Sequence, residues 1–511
     1  MTHREVLRAL SGLLMVLFAA MVSSTVVSVA LPRIVGDLEG TQSQYTWVVT
    51  ATLLASTAST PVWGKLADLF DKKRLLQVAI VIFAAASLLC GLVESTGQLI
   101  ALRAVQGLGM GALQVLVQVI IGAMVSPKER GRYNGYLGGV MAVSTVGGPL
   151  LGGAITDADW LGWQWCFFLA VPICVAAFWM LSRTLHLAES KRADAKVDYL
   201  GATLIAAGVS LLLLWVTFVG NDFDWISWQT GAMVAGSAVL LGAAVVVETR
   251  VREPVVPVHV LKRRDPALAT VASLAVGMAM FGGAVFLGQY FQISRGFSPT
   301  EAGLLTIPMM FGVMVASAVA GRLVSRSGKV KPYIITGTLV LTAGFAALAT
   351  IDHETNLVFM GAGMFLVGTG VGMSMQNLVL VVQNSVPLRE LGAASGAITF
   401  FRSLGGTVGV SVLGAVLADQ VADTIASGLA ALGIEAAGGG SSSLNLDAMP
   451  APVAEVVRAA YGDATGHLFL ISACIAAAGF IAALFLSPVE LRETVDLAET
   501  PPGEEPALLN G

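Results

Sequence analysis

Two charged segments of similar sequence have the residue types of a conformational switch. Gly64 to Arg74 reads GKLADLFDKKR, and Gly321 to Lys331 reads GRLVSRSGKVK. Asp68 falls near a predicted helix end, where its carboxylate can accept hydrogen bonds from free N–H groups at the start of a neighbouring helix. Such a contact is worth about 0.3–2 kcal/mol and can form in one state and break in another. One segment alone is typical of a basic turn, whereas two in matching positions indicate a repeated architecture. The residues assigned to the switch are Gly64, Leu66, Asp68, Lys72, Lys73, Arg74, Gly321, Arg322 and Gly328.

A buried cation is predicted in the apolar segment 99–118. Arg103 lies within it, and an arginine inside a membrane span costs at least about 2.5 kcal/mol, which makes it a functional candidate. The alternative is that its long side chain extends to the outer interface. Gln114 and Gln118 lie on the same helix face as Arg103, so we expect this face to line a central cavity. The residues assigned to coupling are Arg103, Gln106, Gly107 and Glu94.

A glycine- and proline-rich segment, Ser144 to Gly153, reads STVGGPLLGG. Its proline removes a backbone hydrogen bond and bends a helix, while its glycines let a neighbouring helix approach closely. The segment 402–409 contains a weaker version, with one arginine and three glycines. The residues assigned to this motif are Gly148, Pro149, Gly152, Gly153 and Arg402.

These residues need membrane-spanning helices to position them. Of the 511 residues, 56% are apolar and 12% are charged. Soluble domains contain about 25% charged residues, so this chain cannot cover a water-soluble globule of its size. A spanning helix needs about 20 mainly apolar residues. Such runs predict an all-α polytopic membrane protein with fourteen spans, at 9–31, 46–64, 75–93, 99–124, 135–155, 164–182, 199–219, 231–247, 267–292, 302–321, 333–350, 357–382, 392–418 and 466–487.

The basic residues orient these spans. With the amino terminus in the cytoplasm, the inner segments contain 24 of the 29 lysine and arginine residues, which is the bias of cytoplasmic loops. We therefore expect a multi-pass protein of a bacterial inner (cytoplasmic) membrane, with both termini in the cytoplasm. An Ala- and Gly-rich composition is compatible with a bacterial source.

The spans fall into regions. We expect an N-terminal six-helix bundle at 1–182, a linker with two additional transmembrane helices at 183–266, a C-terminal six-helix bundle at 267–487, and a disordered acidic cytoplasmic tail at 488–511. A long outer loop is expected at 419–465, with a helical candidate at 452–461.

Together these segments resemble the major facilitator superfamily, and within it the drug:proton antiporter family with fourteen spans. Gly64, Asp68 and the basic run 72–74 are similar to the superfamily's first-half signature, and the likeness covers residues 9–487. The resemblance implies two six-helix bundles separated by two extra helices, with the fifth and thirteenth spans at the seam. It also implies export of drugs or antibiotics by alternating access and proton antiport. In that family Asp68 would hold the outward-open state, and a G-P-x-x-G-G pattern in the fifth span accompanies exporters.

The sequence departs from the family pattern at three positions. Ser23 replaces a buried aspartate in the first span, Asp71 replaces a glycine, and Ser325 replaces the acid of the second switch segment. No Asp or Glu falls in the middle of a predicted span. The acids available at helix ends are Asp68, Glu94, Glu301 and Asp419. Coupling would then use a carboxylate near a cavity mouth together with Arg103, or a charge on the substrate itself.

Cavity composition favours varied amphipathic ligands. Soft methionines, aromatic rings and a few amides suit a lipophilic neutral, zwitterionic or anionic molecule better than a small multivalent cation. Any one of these residues could instead fill the core. The residues assigned to the cavity are Ser23, Thr25, Gln114, Gln118, Phe281, Phe286, Gln289, Tyr290, Met373, Gln376 and Asn377.

Several other functions are disfavoured. No G-x-x-x-x-G-K-[ST] loop is present for ATP, and no catalytic or metal-binding constellation is visible, so we expect a monomeric transporter without cofactors. The four cysteines lie in apolar runs as packing thiols, and a net charge of −4 does not suggest nucleic acid as a partner. Protons, the bilayer and a small amphipathic substrate are the expected partners. The alternatives are export of an endogenous secondary metabolite or lipid, and a non-transporting scaffold or receptor of the same fold.

Overall fold

The computed structural model describes residues 3–158, 161–187, 198–220, 222–251, 253–431, 450–488 and 490–495. Within these residues the chain forms fourteen long helices and no β-sheet, which confirms the predicted all-α class. The first seven are α1 (His3–Asp37), α2 (Gln42–Leu69), α3 (Lys72–Cys90), α4 (Thr96–Met124), α5 (Pro127–Asp157), α6 (Ala170–Thr184) and α7 (Tyr199–Phe218). The second seven are α8 (Trp228–Glu248), α9 (Arg264–Gln289), α10 (Ile307–Ser327), α11 (Lys331–Leu348), α12 (Leu357–Asn384), α13 (Leu391–Ala431) and α14 (Ala451–Leu484).

Short helical turns adjoin several of the long helices. Short helices at Trp165–Phe168, Val258–Leu261 and Pro299–Leu305 precede α6, α9 and α10. A π-helical turn at Tyr290–Ser294 follows α9, and a 3₁₀ turn at Leu388–Glu390 precedes α13.

Thirteen of the fourteen described long helices are long and apolar enough to cross a membrane by length and composition. The other is α2, which is rich in serine and threonine. Its hydroxyls bond to helix carbonyls: Thr60 Oγ1 donates to Ser56 O at 2.7 Å, and Thr52 Oγ1 donates to Arg103 O at 3.2 Å. Hydroxyls satisfied in this way do not prevent a helix from lying in an apolar environment.

The last two helices extend beyond their predicted spans. α13 has 41 residues and α14 has 34, or about 60 and 50 Å, against about 30 Å for a hydrocarbon core. The long loop expected at 419–465 is therefore wrong over much of its length, although its helical candidate at 452–461 is confirmed. The two extensions continue because they pack on each other, with Gly428 against Val456. Residues 432–449 lie outside the described part of the chain.

The helices form two six-helix bundles with the same internal contacts. In α1–α6, α2 and α3 pack on α4, α1 packs on α5 and α6, and α3 packs on α6. In α9–α14, α10 and α11 pack on α12, α9 packs on α13 and α14, and α11 packs on α14. The similarity of the two charged segments thus reflects the repetition of a whole bundle.

Two helix pairs form most of the contact between the bundles. α2 packs along α13, and α5 packs along α10. α5 and α13 therefore both lie between the bundles, but they pack on α10 and α2 rather than on each other. The additional helices α7 and α8 pack on each other, and α7 also contacts α2 and α13. The extra pair therefore lies beside the α2–α13 contact.

Candidate functional site

One end of the two bundles is closed by paired helix crossings. At this end, which we refer to as the sealed face, α2 and α10 finish and α5 and α13 begin. A Cβ on Gly64 would lie 2.5 Å from the carbonyl oxygen of Gly392, and a Cβ on Gly131 would lie 2.6 Å from that of Gly321. Glycine is needed at both crossings because a side chain would overlap the backbone of the opposite helix.

Asp68 binds across the α2–α13 crossing. Its Oδ1 accepts a hydrogen bond from the N–H of Gly392, and its Oδ2 accepts one from the N–H of Ala393, each at 2.7 Å. Both N–H groups belong to the first turn of α13, where they lack partners within the helix and the helix dipole is positive. The Asp68 side chain is buried, so these two contacts replace water. We refer to Asp68 with these two N–H groups as the first-half lock.

Ser325 takes the equivalent position at the α5–α10 crossing. Its hydroxyl accepts a hydrogen bond from the N–H of Arg132 at 3.0 Å and donates one to the carbonyl oxygen of Lys128 at 2.8 Å. Lys128 belongs to the first turn of α5 and Arg132 to the second. We refer to this set as the second-half lock. It has the topology of the first but no negative charge.

The rest of the first switch segment fixes the start of α3. Asp71, found where the family pattern has glycine, caps the helix by accepting a hydrogen bond from the N–H of Arg74 at 2.7 Å. Lys73 Nζ donates to the carbonyl oxygen of Ser182 at 2.8 Å, in the last turn of α6, while Lys72 is buried. Cations suit the carbonyl end of a helix. Of the other assigned residues, Leu66 is half-buried, and Arg74 and Arg322 are exposed.

A buried arginine joins the bundles behind the locks. The Arg130 guanidinium donates to the carbonyl oxygens of Val125 and Gly122 and, at 3.0 Å, to Gln383 Oε1 on α12. Gln383 in turn donates to Ser395 Oγ at 2.9 Å on α13. In the sequence Arg130 resembles the other basic residues near predicted helix ends, so nothing there indicates that it is buried. A cavity of only about 10 Å³ remains beside it, lined by Gln118, Ile121, Asn134, Leu137, Gln376 and Val379.

The segment after α14 crosses the sealed face. Residues 490–495, which we refer to as the strap, fall in the segment assigned to a disordered tail, and 496–511 lie outside the described residues. The Lys128 N–H donates to Arg492 O at 3.1 Å, and the Leu491 N–H donates to Gly328 O at 2.9 Å. Gly328 ends α10 with a φ of +67°, a conformation that glycine adopts readily. The strap thus bonds to both bundles.

Arg103 lies in a buried polar network within the first bundle. Its Nη1 donates to Gln106 Oε1 at 2.6 Å, and its Nε donates to Val48 O at 3.4 Å. Gln106 Nε2 donates to Ser87 Oγ at 2.8 Å and to Ser23 Oγ at 3.2 Å. Within the described residues Arg103 forms no ion pair. The structure therefore brings together Arg103, Gln106 and Ser23.

Two other residues assigned to coupling lie outside this network. Glu94 is exposed in the turn between α3 and α4. Gly107 lies against Thr52 of α2, where it allows close helix packing.

The glycine- and proline-rich segment lies on α5 and faces α1. Thr25 Oγ1 donates to Ser144 O at 3.2 Å, and a Cβ on Gly148 would overlap Thr25. Pro149 and Gly152 belong to the same helix. A Cβ on the remaining residue, Gly153, would lie 3.8 Å from Thr300 Oγ1.

The weaker copy on α13 faces α9, the helix equivalent to α1. Gly405 lies against Leu274, Gly406 against Phe281, and the backbone of Arg402 against Gly277. Arg402 is buried, and its Nη1 has no hydrogen-bond partner among the described residues.

The residues assigned to the cavity separate into groups. Gln118 and Gln376 line the same small cavity, and Thr399 Oγ1 donates to Gln118 Oε1 at 3.4 Å. Phe286 and Tyr290 are buried in the C-terminal bundle, where Tyr290 Oη donates to Asp352 O at 2.5 Å. Of the remainder, Gln289 and Phe281 are exposed, Gln114 and Met373 are half-buried, and Asn377 is buried and bonds to its own helix.

A larger cleft of about 480 Å³ lies between α1, α5 and α10. Leu14, Phe18 and Met314 contribute apolar walls. The guanidinium groups of Arg132 and Arg322 lie at its end towards the sealed face, and within the described residues neither forms an ion pair. The cleft therefore combines an apolar interior with two cations at one end.

Comparison with known proteins gives a consistent family. Residues 13–410 match the family described as Major Facilitator Superfamily. The multidrug transporter protein MdtP of Bacillus subtilis (strain 168) is 35% identical over 408 residues, covering 80% of this chain and 74% of the relative. The uncharacterized MFS-type transporter Rv1877 of Mycobacterium tuberculosis (strain ATCC 25618 / H37Rv) is 34% identical over 480 residues, covering 94% and 69%. The efflux pump dotC of Dothistroma septosporum is 30% identical over 501 residues, covering 96% and 85%.

A solved structure has the same fold. It is that of the human organic anion transporter MFSD10 (TETRAN), with a TM-score of 0.62 and 13% sequence identity. The match covers 92% of this chain and 99% of that one. At this identity the similarity concerns the fold alone.

Proposed function

This chain belongs to the major facilitator superfamily and is a membrane transporter rather than an enzyme, and on that premise we propose that it exports hydrophobic or amphipathic small molecules in exchange for protons. The observation that carries the proposal is the pair of matched crossings at the sealed face. Two repeated bundles meet there through backbone contacts and locks that can break together. Such a protein has a second state in which the opposite end closes, and a substrate site between the bundles is then exposed alternately.

Export rather than uptake is supported by two independent features. MdtP is named a multidrug transporter and dotC an efflux pump. The segment from Ser144 to Gly153 is similar to the motif that accompanies exporters in this superfamily. We propose that antibiotics and other drugs are among the substrates.

The distribution of basic residues supports a cytoplasmic sealed face. Lys65, Lys128 and Arg322 all lie at that end, and cytoplasmic ends of spans are enriched in lysine and arginine. The structure would then be outward-facing, with both termini in the cytoplasm of a bacterial cell. We retain the division into bundles at 1–182 and 267–487, with a linker at 183–266 between them.

The cleft between α1, α5 and α10 supports an amphipathic substrate that enters from the inner leaflet. Its apolar walls suit a lipophilic body, and Arg132 with Arg322 suits an anionic or zwitterionic head. A cationic head would be repelled by the same two groups. We therefore propose neutral to anionic amphiphiles as the preferred class.

We assign coupling to the network around Arg103. Its guanidinium is buried and bonded to neutral partners, so no carboxylate within the described residues compensates its charge. A buried charge without compensation is costly, which gives Arg103 a reason to bind an anionic substrate group or to respond to proton release. Gln106 and Ser23 would transmit its position to α3 and α1.

Transport by purified protein in proteoliposomes tests the proposal. Ethidium, Nile red and calcein serve as cationic, neutral and anionic fluorescent probes under an imposed pH gradient. We expect gradient-driven movement of Nile red or calcein that an uncoupler abolishes and that exceeds the movement of ethidium. Absence of gradient-dependent transport of every probe by correctly folded protein would favour the scaffold or receptor alternative.

Export of an endogenous metabolite or lipid remains the second candidate. The Arg132–Arg322 cleft favours it, because a phospholipid or an acidic metabolite carries the anionic head that the two arginines suit. Transport of a fluorescent anionic lipid in the same proteoliposomes, with no transport of calcein, would support this candidate over drug export.

A further inference from the structure

The additional helices α7 and α8 place two carboxylates at the edge of the α2–α13 contact. Asp198 precedes α7, and Glu248 ends α8. Each lies one residue outside a predicted span, so the sequence does not predict that either acid is buried in the helix pair. The helices above them pack through Ile205, Val209 and Ala244 against Phe400 of α13. The two acids therefore lie beneath an apolar cluster.

Both side chains are more than nine-tenths buried and only half satisfied. Asp198 is 8% exposed and Glu248 is 4% exposed. Asp198 Oδ1 accepts from the N–H of Gly201 at 2.9 Å, and Glu248 Oε2 accepts from the N–H of Val256 at 3.2 Å. Asp198 Oδ2 and Glu248 Oε1 have no hydrogen-bond partner among the described residues. Each acid thus presents one buried, unused oxygen.

The two unused oxygens both lie beside Gly201, within about 5 Å of each other. A Cβ on Gly201 would overlap both Asp198 Oδ2 and Glu248 Oε1. Glycine at this position is therefore what leaves room for the two groups to lie side by side. Two carboxylates that share a desolvated site cannot both remain ionised, and the usual solution is one shared proton.

We propose that Asp198 and Glu248 form a proton-binding site, in which one carboxyl is protonated and its O–H donates a hydrogen bond to the free oxygen of the other. The O–H···O bond satisfies both unused oxygens at once. Loss of the proton leaves two adjacent negative charges. No further reactant is involved, since the proton is taken from water and returned to it. Coupling of this proton to transport rests on the proton antiport proposed above.

One cation faces the pair from the neighbouring helix. Lys65 of α2 is buried, and its Nζ forms an ion pair with Glu253 Oε2 at 2.5 Å, in the segment that follows α8. The side chains of α13 that pack on this helix pair, Phe400, Phe401 and Leu404, are not titratable. Among the described residues, the charged groups on the elements packed against the site are therefore Lys65 and, three residues further along α2, Asp68, together with Glu253 after α8.

Lys65 connects the pair to the first-half lock. It lies three residues before Asp68 on α2, so the two side chains share a helix end. While the pair holds its proton, Lys65 remains with Glu253 and α2 keeps its place. When the proton leaves, the added negative charge attracts Lys65 away from Glu253, which displaces the end of α2 and weakens the lock. Proton release to the cytoplasmic side and opening of the sealed face thus favour each other.

Infrared difference spectroscopy of the purified full-length protein in lipid nanodiscs tests the site without any substrate. We expect a protonated-carboxyl stretching band that appears as the pH is lowered and is lost in both Asp198→Asn and Glu248→Gln. Glu253→Gln removes a nearby but ion-paired acid and should keep the band, with a midpoint at lower pH because Lys65 is then free to face the pair. Gly201→Ala should shift the midpoint to lower pH by about 1 unit, because the new methyl group separates the carboxyls. A band unchanged in both Asp198→Asn and Glu248→Gln would overturn the proposal.

Accessibility of a cysteine at the sealed face tests the consequence. With Cys90, Cys166, Cys174 and Cys474 replaced by serine, Asn134→Cys should react faster with a thiol reagent as the pH rises. Glu248→Gln should remove this pH dependence, and its persistence would overturn the link to the lock. Neither assay requires transport. A wild-type protein that shows both signals but no proton-coupled dye movement would disprove the antiport and leave the proton site standing.

Discussion

The two locks of the sealed face lie at backbone crossings of the same kind but use different hydrogen-bonding groups. In the first half, Asp68 places a carboxylate on two N–H groups of α13; in the second half, Ser325 places a hydroxyl between an N–H and a carbonyl oxygen of α5. The glycine contacts beneath them are nearly the same, since Gly64 meets Gly392 as Gly131 meets Gly321. Packing is therefore symmetric across the repeat, while charge is not.

This difference separates two roles, close packing and a charge contact, that a single lock would combine. The glycine crossings determine whether the bundles can approach at all, and both halves need them equally. The charge–dipole contact adds stability in the first half alone, where its negative charge can respond to nearby Lys65 and through it to the carboxylate pair. We therefore propose that the first-half lock is the regulated one, whereas the second-half lock does not respond to charge.

Substitution at the crossings should have the largest effect, and should be equal in the two halves. Gly64→Val and Gly321→Val each force a side chain into an opposing backbone, where overpacking costs about 1–3 kcal/mol or more. We expect the sealed state to lose about fivefold to more than a hundredfold in population. The measurement is thiol accessibility at the sealed face together with proteoliposome transport.

Gly231→Val is the matched control for these variants. Gly231 lies in α8, and a Cβ there would meet nothing within 4 Å. It should leave accessibility and transport unchanged. A large effect at Gly64 with none at Gly321 would contradict the symmetry of the packing.

Removal of the lock groups should reveal the asymmetry. Asp68→Asn keeps an acceptor but loses a charge–dipole contact of up to about 2 kcal/mol, so we expect about tenfold loss of the sealed state and impaired transport. Ser325→Ala loses two neutral hydrogen bonds, but the Arg132 N–H and the Lys128 carbonyl that they leave can bond to each other within α5, so we expect a net loss of about 1 kcal/mol, or roughly threefold to fivefold. Ser325→Asp should strengthen closure and slow turnover. Equal effects of Asp68→Asn and Ser325→Ala would remove the distinction between the halves.

The sequence predicts much of this arrangement, for identifiable reasons. Long apolar runs and the placement of basic residues determine the fourteen helices and their class. The repeat of the switch segment, including serine in place of the acid at 325, already indicates that the two halves differ. Spacing on one helix likewise relates Arg103 to Gln106.

The sequence does not indicate which residues meet when distant helices pack on each other. Gly392 and Ala393 are ordinary small residues at a helix start until α2 is brought against them. Arg130 counts among many basic residues near helix ends, and its burial depends on Gln383, about 250 positions later. Asp198 and Glu248 each fall just outside an apolar run, and only the antiparallel packing of α7 on α8 brings them together. Contacts between distant segments have no local pattern to reveal them.

Loosening the strap should affect both locks moderately, because the strap bonds to both bundles. The Arg492 guanidinium donates to Val386 O at 2.9 Å and to Gln383 O at 3.1 Å. Arg492→Ala removes these bonds where water can partly replace them, so we expect about a threefold gain in accessibility at the sealed face. Arg389→Ala, at a largely exposed side chain, is the control. An effect confined to one bundle would show that the strap does not connect the two.

The smallest effect is expected at the end of the strap, and its pH dependence distinguishes it from the carboxylate pair. Lys128 Nζ and Glu493 Oε1 lie 2.6 Å apart, with side chains 34% and 76% exposed. The hydrogen bond and positive charge of Lys128 lower the pKa of Glu493 below its ordinary value of about 4.3. Since the folded pKa is lowered, the contact contributes its full stabilisation above the ordinary value and loses it as the pH falls through the lowered one. Exposed ion pairs contribute little, so Glu493→Gln should change accessibility less than twofold at pH 7 and leave any transition near neutrality in place. If Glu493→Gln lost the accessibility transition near neutral pH and Glu248→Gln kept it, the pH dependence would have to be assigned to the strap rather than to the first-half lock.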